Sequence, residues 1–196
     1  TALPAITFTY EDTAGGWTLD SSYVAFSFGY FTAEYSGIPR DAGVRLFDAN
    51  GDGLPDAVVA GDGGSGSVSG SVWLNTGSGW SQDTAYTVPV GFVYPSGGGT
   101  SDLGVRIADV NGDGLQDIIK SYGGSDASYF ASDGVYLNDP DNKTWTLASG
   151  YSLPADLAYN PGSVSSDTGM RLVDVNGDRL PDFIWAADSY NRSGGY

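Results

Sequence analysis

The sequence predicts an all-β fold in which one unit of short strands recurs along the chain. Glycine makes up 30 of the 196 residues, and glutamate occurs only at Glu11 and Glu34, so turn formers are abundant and good helix formers are scarce. Short β-branched or aromatic runs lie between the turns, as expected for strands. A nine-residue acidic string occurs three times among these runs, which indicates an internal repeat.

The acidic strings are DANGDGLPD at 48–56, DVNGDGLQD at 109–117 and DVNGDRLPD at 174–182, called loops 1, 2 and 3 below. Each string has oxygen-bearing side chains at positions 1, 3, 5 and 9, and the backbone carbonyl of position 7 supplies a further donor. Ca²⁺ binds six to eight such oxygen atoms, so the strings predict three calcium sites. The predicted ligands are Asp48, Asn50, Asp52, Leu54 and Asp56 in loop 1, Asp109, Asn111, Asp113, Leu115 and Asp117 in loop 2, and Asp174, Asn176, Asp178, Leu180 and Asp182 in loop 3.

The residues around the loops exclude the helix–loop–helix class of calcium site. Such a loop needs a bidentate glutamate at position 12, where this chain has Val59, Lys120 and Trp185. The flanking segments instead predict strands, at 43–47, 104–108 and 169–173 before the loops and at 57–60, 117–120 and 182–187 after them. Each loop is therefore expected to connect two strands.

The repeat extends beyond the loops in both directions. A D-x-G-[VM]-R motif precedes each loop, at 41–45, 102–106 and 167–171. A strand ending in Leu-Asn follows loops 1 and 2, at 71–75 and 134–138, and a strand led by tryptophan comes next, at 79–89 and 144–154. A period of about 60 to 65 residues that holds about four short strands is the size of one blade of a β-propeller.

With these motifs the chain resembles the FG-GAP/VCBS repeat family, the calcium-loop blades of integrin-α-like propellers. The resemblance covers nearly the whole chain and is closest to blades of bacterial secreted proteins, including toxin-complex and RHS-type shells. It implies four-stranded blades with calcium bound between the first two strands of each. One position departs from the pattern, because Arg179 stands where loops 1 and 2 have Gly53 and Gly114. If that position requires a positive φ, Arg179 is strained and the third site is the weakest.

The order of strands predicts a circularly permuted arrangement of three blades. Residues 6–17 have the pattern of the Leu-Asn strand and its turn, and residues 18–26 that of the tryptophan-led strand, so the N-terminal strands are expected to complete a blade. We predict one propeller domain over 1–196, divided into 1–40 (second half of a blade and a connection), 41–101, 102–166 and 167–196 (first half of a blade). The N-terminal strands can complete a blade of the same chain, of a partner in an exchanged dimer, or of the next chain in an open fibre. A further alternative is that the sequence is a fragment of a longer propeller.

Charge and composition limit the function classes. The net charge is −16, which argues against nucleic-acid binding and anionic membrane surfaces, and no segment predicts membrane insertion. The chain has no cysteine, so metal is expected to stabilise it in place of disulfides, and millimolar extracellular calcium suits a secreted or cell-surface protein. The Gly/Ser-rich segments 61–70, 95–101 and 121–128 are expected to be loops.

Catalysis is not expected, because the chain has no histidine or cysteine and no nucleophile or phosphate-binding motif. The recurring Arg45, Arg106 and Arg171 are expected to pair with Asp41, Asp102 and Asp167. Trp17, Trp80 and Trp145 are expected to pack between blades, and Asn75 and Asn138 to fix turns. The predicted function is a structural or assembly subunit that associates through exchanged strands. The alternative is an adhesion or binding module, integrin- or lectin-like, for a glycan or a protein.

Overall fold

The computed structural model describes residues 41–185 except 65, 97–98, 128–129, 131 and 163–164, together with the backbone of residues 34–35 and 38–39. This part of the chain contains strands and turns without an α-helix, so the all-β prediction is confirmed. The predicted strands at 6–17 and 18–26, Trp17, and the last two residues of the predicted strand 182–187 lie outside the described residues. The strands are β1 Glu34–Tyr35, β2 Ile38–Pro39, β3 Val44–Phe47, β4 Asp56–Asp62, β5 Val68–Asn75, β6 Trp80–Asp83, β7 Val93–Ser96, β8 Gly99–Asp102, β9 Val105–Ala108, β10 Asp117–Lys120, β11 Tyr122–Gly124, β12 Gly134–Asp139, β13 Thr144–Leu147, β14 Ala158–Asn160, β15 Ser166–Asp167, β16 Met170–Val173 and β17 Asp182–Trp185.

The same order of four antiparallel strands occurs twice, once within a six-stranded sheet that also contains β7 and β8 and once as a separate four-stranded sheet. Strands β3, β4, β5 and β6 pair successively in the first sheet, and β9, β10, β12 and β13 do so in the second. Strands β16 and β17 form a third antiparallel pair, called the third hairpin below. Loops 1, 2 and 3 connect the first two strands of these three units, as the sequence predicts.

Small hairpins connect one unit to the next, and the sequence did not predict them. The end of β4 pairs in parallel with β7, which forms a hairpin with β8, and β11 pairs in the same way with β14, which pairs with β15. The segments 61–70, 95–101 and 121–128, all expected to be loops, are partly strand. The glycines are needed for close backbone approach, because a Cβ at Gly124 would lie 2.1 Å from the Asn160 carbonyl oxygen.

The tryptophan-led strands are shorter than predicted. They end at Asp83 and Leu147, whereas the sequence suggested 79–89 and 144–154. In the first sheet the strand ends because the Asp83 carboxylate accepts a hydrogen bond from the Ala85 amide at 2.9 Å, which closes a turn. Beyond this turn Tyr86 leaves the sheet and enters the core.

The main core lies between the first and second sheets, where Trp145 is 2% exposed. Its ring lies 6.0 Å from that of Phe47 and 5.8 Å from that of Tyr86, centroid to centroid, and both of these residues belong to the first repeat. The Asn138 side-chain amide also crosses to the first repeat and donates to the Ala49 carbonyl at 3.1 Å. The prediction that Trp145 packs one repeat against the next is confirmed, and Trp80 is half-buried.

Candidate metal centre

The first aspartate of each loop organises the turn. In loop 1 the two Asp48 oxygen atoms accept hydrogen bonds from the amides of Gly51 and Gly53, both at 2.7 Å, and from Asp52 at 3.2 Å. Asp109 accepts equivalent bonds from Gly112 and Gly114, and Asp174 accepts them from Gly177 and Arg179. Because the first aspartate accepts the same two backbone amides in every loop, the three loops share this local geometry.

The side chains at positions 3 and 5 contact each other in every loop. The Asn50 side-chain nitrogen donates to Asp52 at 2.9 Å, and the Asp52 carboxylate also accepts from the Leu54 amide at 2.8 Å. The corresponding Asn–Asp distances are 2.8 Å in loop 2 and 3.0 Å in loop 3. Positions 3 and 5 therefore pair one amide side chain with one carboxylate in each loop.

The ninth aspartate faces the sheet. The Asp56 side chain accepts from the amides of Ala49 at 3.0 Å and Asn75 at 2.7 Å, so it joins loop 1 to the end of β5. Asp117 makes the same two contacts with Val110 and Asn138, at 3.0 and 2.8 Å. Both aspartates are completely buried. Burial raises the pKa of Asp56 and Asp117; the amide hydrogen bonds oppose this shift, and the carboxylates at positions 1 and 5 add to it.

The sequence did not distinguish this tethering role from that of a metal ligand. The available signal was the recurrence of an aspartate at the start of one strand and an asparagine at or next to the end of the strand that pairs with it. Asn75 also fixes the following turn, since its side-chain oxygen accepts from the Gly77 amide at 2.9 Å. The turn-fixing prediction is therefore confirmed for Asn75. It is wrong for Asn138, whose side-chain nitrogen donates to the Ala49 carbonyl and whose side-chain oxygen accepts no hydrogen bond within the described residues.

The D-x-G-[VM]-R motif forms ion pairs before each loop. Arg45 contacts Asp41 at 3.0 Å and Arg171 contacts Asp167 at 2.9 Å. Arg106 contacts Asp102 at 3.1 Å and also reaches Asp167 of the following repeat, at 3.3 Å. The predicted pairing is confirmed, and Arg106 additionally links two consecutive repeats.

The motif glycine is required by packing. A Cβ at Gly104, where φ is +70°, would lie 2.0 Å from the Ser121 carbonyl oxygen, so a side chain there would displace the backbone. The same glycine amide donates to Asp102 at 2.8 Å. The motif thus fixes the entry of the chain into the first strand of the repeat.

Position 6 of the loops has a left-handed backbone. Its φ is +86° at Gly53, +90° at Gly114 and +73° at Arg179, so the requirement for a positive φ is confirmed. A non-glycine residue costs about 1 kcal/mol in this conformation. Loop 3 therefore carries strain that the other two loops avoid.

We expect Arg179→Gly to stabilise the protein by about 0.5–1 kcal/mol, because the strain is removed while the gain is partly offset by the flexibility of unfolded glycine. Urea unfolding at fixed calcium concentration measures the change. Arg179→Ala is the control, since alanine removes the side chain and keeps the strained backbone. A stabilisation by alanine equal to that by glycine would assign the effect to the side chain.

The chemistry of the loops fits a hard cation. Among the described residues no group of three or more His, Cys, Asp or Glu side chains is gathered around one point, and the ninth aspartate of loop 1 accepts one amide of its own loop and one of β5. Positions 1, 3 and 5 nevertheless offer carboxylate and amide oxygens in each turn, and calcium prefers such donors. A carboxylate holding two amide hydrogen bonds also retains free lone pairs. In this arrangement calcium would be held by Asp48, Asn50 and Asp52, with Asp56 and the Leu54 carbonyl as the remaining predicted donors.

One charged residue in the second repeat was not anticipated. Lys120, at position 12 of loop 2, is 1% exposed, and its ammonium group contacts the Phe130 carbonyl, the Ser132 hydroxyl at 3.1 Å and Asp133 at 3.6 Å. Burial lowers its pKa, and the charge of Asp133 opposes that shift. No sequence signal marks it, because the equivalent positions hold Val59 and Trp185.

The fold and loops define an all-β repeat protein with an acidic turn in each unit, and comparison with known families agrees. Residues 48–119, from the start of loop 1 into β10, match the sequence model of the FG-GAP-like repeat. The chain thus contains an FG-GAP-like repeat, and the family resemblance read from the sequence is confirmed. No curated protein and no solved structure matched the chain. Within the described residues no helix is long and apolar enough to span a membrane.

Proposed function

We propose that the chain is a calcium-stabilised segment of a β-propeller and acts outside the cell as a non-catalytic structural subunit. The observation that carries the proposal is the recurrence of one oxygen-rich turn between the first two strands of every repeat. A site preserved in every unit, at the same structural position, suits a role in stabilising the units themselves. The FG-GAP-like match supports the same class of protein.

The propeller proposal is supported by the packing of two successive units of four antiparallel strands. The first and second sheets have the same strand order, and Trp145 and Asn138 of the second contact Phe47 and Ala49 of the first. Blades of propellers pack in this way around a central axis. The proposed boundaries of the repeats remain 41–101, 102–166 and 167–196, with 1–40 supplying the second half of a blade.

Calcium is proposed to act by relieving repulsion within the loops. Each loop holds aspartates at positions 1, 5 and 9, within nine residues. A bound divalent cation offsets that charge and fixes the connection between two strands. Calcium concentrations outside cells are high enough to fill sites of modest affinity, which supports a secreted or cell-surface location.

The recurring charged groups are engaged in hydrogen bonds and ion pairs within the fold, which favours a structural role over catalysis. The ninth aspartates of loops 1 and 2 accept strand amides, and the repeated arginines pair with the repeated aspartates. The acidic surface disfavours nucleic acid as a partner. The proposed partner is another copy of the chain.

We expect loop 2 to contribute more stability than loop 3. Asp113 and Asp178 are a matched pair, since each accepts from the following leucine amide at 2.8 Å and from the preceding asparagine side chain. Asp113→Ala should lower Tm in calcium by roughly 5–10 °C, and Asp178→Ala by less than half as much, because loop 3 already carries the strain at Arg179. Thermal unfolding followed by circular dichroism measures both. Equal losses, or the opposite order, would contradict the ranking.

Light scattering tests the proposed assembly role. In millimolar calcium the chain of 20.4 kDa is expected to give a mass of at least two chains. A discrete dimer would indicate a closed, exchanged ring, and a broad large mass would indicate a fibre. A mass of one chain would argue against assembly and would favour a binding module, which a glycan array would then examine.

A further inference from the structure

Ala49, the second residue of loop 1, is bound at both of its backbone groups. Its amide donates to Asp56, the ninth residue of the same loop, at 3.0 Å. Its carbonyl accepts from the Asn138 side-chain nitrogen at 3.1 Å and from the Tyr86 hydroxyl at 3.3 Å. Ala49 is completely buried, so these bonds are shielded from water. The position of Ala49 therefore depends both on loop 1 and on β12 of the second repeat.

Asn138 is bound to loop 2 as well as to loop 1. Its backbone amide donates to Asp117, the ninth residue of loop 2, at 2.8 Å, and Asp117 also accepts from the Val110 amide of that loop at 3.0 Å. The direction of the side-chain amide is determined, because a flipped group would place its oxygen against the Ala49 carbonyl, where two acceptors repel. Hydrogen bonds thus run without interruption from the ninth aspartate of loop 1 to the ninth aspartate of loop 2.

An apolar contact joins the same two loops. A Cβ placed on Gly51, at position 4 of loop 1, would lie 3.1 Å from Cδ2 of Leu115, at position 7 of loop 2. The contact recurs one repeat later, where a Cβ on Gly112 would lie 3.2 Å from Cδ2 of Leu180 in the loop of the third hairpin. The Leu115 carbonyl is a predicted calcium donor, so this residue would serve its own loop through the backbone and the preceding loop through its side chain.

Asn75, the equivalent of Asn138 in the first repeat, makes its side-chain contacts within its own repeat. It donates to the Pro55 carbonyl at 3.2 Å and accepts from the Gly77 amide at 2.9 Å. The Asn138 side-chain oxygen is buried and has no hydrogen-bond partner within the described residues. A buried acceptor without a hydrogen bond costs stability. The orientation of Asn138 therefore serves the connection between repeats rather than its own hydrogen bonding.

We propose that Asn138 and Leu115 couple loops 1 and 2, so that calcium bound in one loop raises the calcium affinity of the other. The inference rests on the calcium role proposed above and adds a regulation of those sites. An empty loop holds three aspartates whose repulsion opposes the ordered turn, and the turn becomes fixed when the ion is bound. Fixing loop 2 holds Asp117, and with it Asn138 and Ala49. The ordering of loop 1 is then partly complete before its own ion binds.

Coupling changes how the chain responds to calcium. Two coupled loops fill and empty together over a narrower range of calcium concentration than two independent loops do. Because a coupling free energy is shared by both sites, loop 1 must raise the affinity of loop 2 by the same factor as loop 2 raises that of loop 1. The packing between the first and second repeats would then be firmest when both loops are filled.

The test measures the calcium affinity of one loop with the other intact or disabled, in the full-length chain. Asp178→Ala disables loop 3 throughout, so that calorimetric titration reports on loops 1 and 2. Adding Asp113→Ala leaves loop 1 alone, and adding Asp52→Ala instead leaves loop 2 alone. Loop 1 alone is expected to bind about five- to tenfold more weakly than loop 1 beside a filled loop 2, and loop 2 is expected to lose the same factor without loop 1.

Asn138→Ala and Leu115→Ala then test the route of the coupling. Each is expected to reduce the factor between the two affinities, and the pair together to bring it close to one. Thr87→Val is the control, because it removes a hydrogen bond between the same two repeats, at 2.8 Å, whose partner Thr144 belongs to β13 rather than to a loop. This control is expected to keep the factor. Circular dichroism establishes that each variant is folded, and a solely structural role for Asn138 would lower Tm and leave the factor unchanged.

The outcomes separate the coupling from the calcium role on which it rests. If the unaltered chain binds no calcium, both proposals fail. If loops 1 and 2 bind with affinities that do not depend on each other, the calcium role stands and the coupling is wrong. If the factor persists in the chain that carries both Asn138→Ala and Leu115→Ala, the assignment of the coupling to these two residues is wrong.

Discussion

Replacing Asp117 by alanine is expected to lower the free energy of unfolding by about 3 kcal/mol. The side chain is completely buried and accepts two backbone amides, one from loop 2 and one from β12. Alanine would leave both donors without their partner, and an unsatisfied buried donor costs about 1–3 kcal/mol. The loss is partly offset because the buried carboxylate, whose pKa is raised by desolvation, is itself costly to hold.

The matched control for this prediction is Asp182→Ala. Asp182 is half-buried and accepts one backbone amide, so its loss is expected to cost about 1 kcal/mol. Urea unfolding of both variants in a calcium chelator measures the tethering role separately from metal binding. Equal destabilisation by the two substitutions would contradict the assignment of Asp117 as the connection between loop and third strand.

Removal of calcium is expected to lower Tm by more than about 10 °C. A ligand that binds the folded state at one hundred times its Kd contributes about 2.7 kcal/mol per site, and the chain has three loops of the same design. For a domain of this size, each kcal/mol shifts Tm by about 2–4 °C. Once the chelator has removed calcium, the loops would also retain the repulsion between aspartates such as Asp48 and Asp52.

Thermal unfolding in excess EDTA, followed by return of calcium, measures this effect. Magnesium is the control cation, because it demands near-octahedral geometry and gives up its water reluctantly, so it should restore little of the lost stability. An unchanged melting curve in EDTA would contradict the stabilising role of calcium.

The repeat, its strands and its loops were predictable because their signals are local and occur in several copies. The D-x-G-[VM]-R motif predicted the Arg106–Asp102 pair, and the loop alignment predicted the strained backbone of Arg179. Tryptophan at the same position of each repeat predicted the packing of Trp145. In these cases residue type and spacing determine the local contact.

Other features depend on distant partners that composition does not reveal. The β7–β8 hairpin lies in a Gly/Ser-rich segment, and its strands form because the end of β4 offers a parallel edge. Asn138 donates to the Ala49 carbonyl of the preceding repeat, which no local pattern indicates. The sequence shows that positions 56 and 117 hold carboxylates, but it does not show which way their oxygen atoms point. It therefore predicted both aspartates as metal ligands without revealing that each side chain joins its loop to the third strand.

Calorimetric titration of the chelator-treated chain with Ca²⁺ tests the central claim most directly. The account predicts binding of one ion per loop, three per chain, with the number falling to two in Asp113→Ala. Two results would contradict the assignment of the loops as calcium sites. One is the absence of any heat of binding at millimolar calcium, and the other is a stoichiometry that does not change in Asp113→Ala.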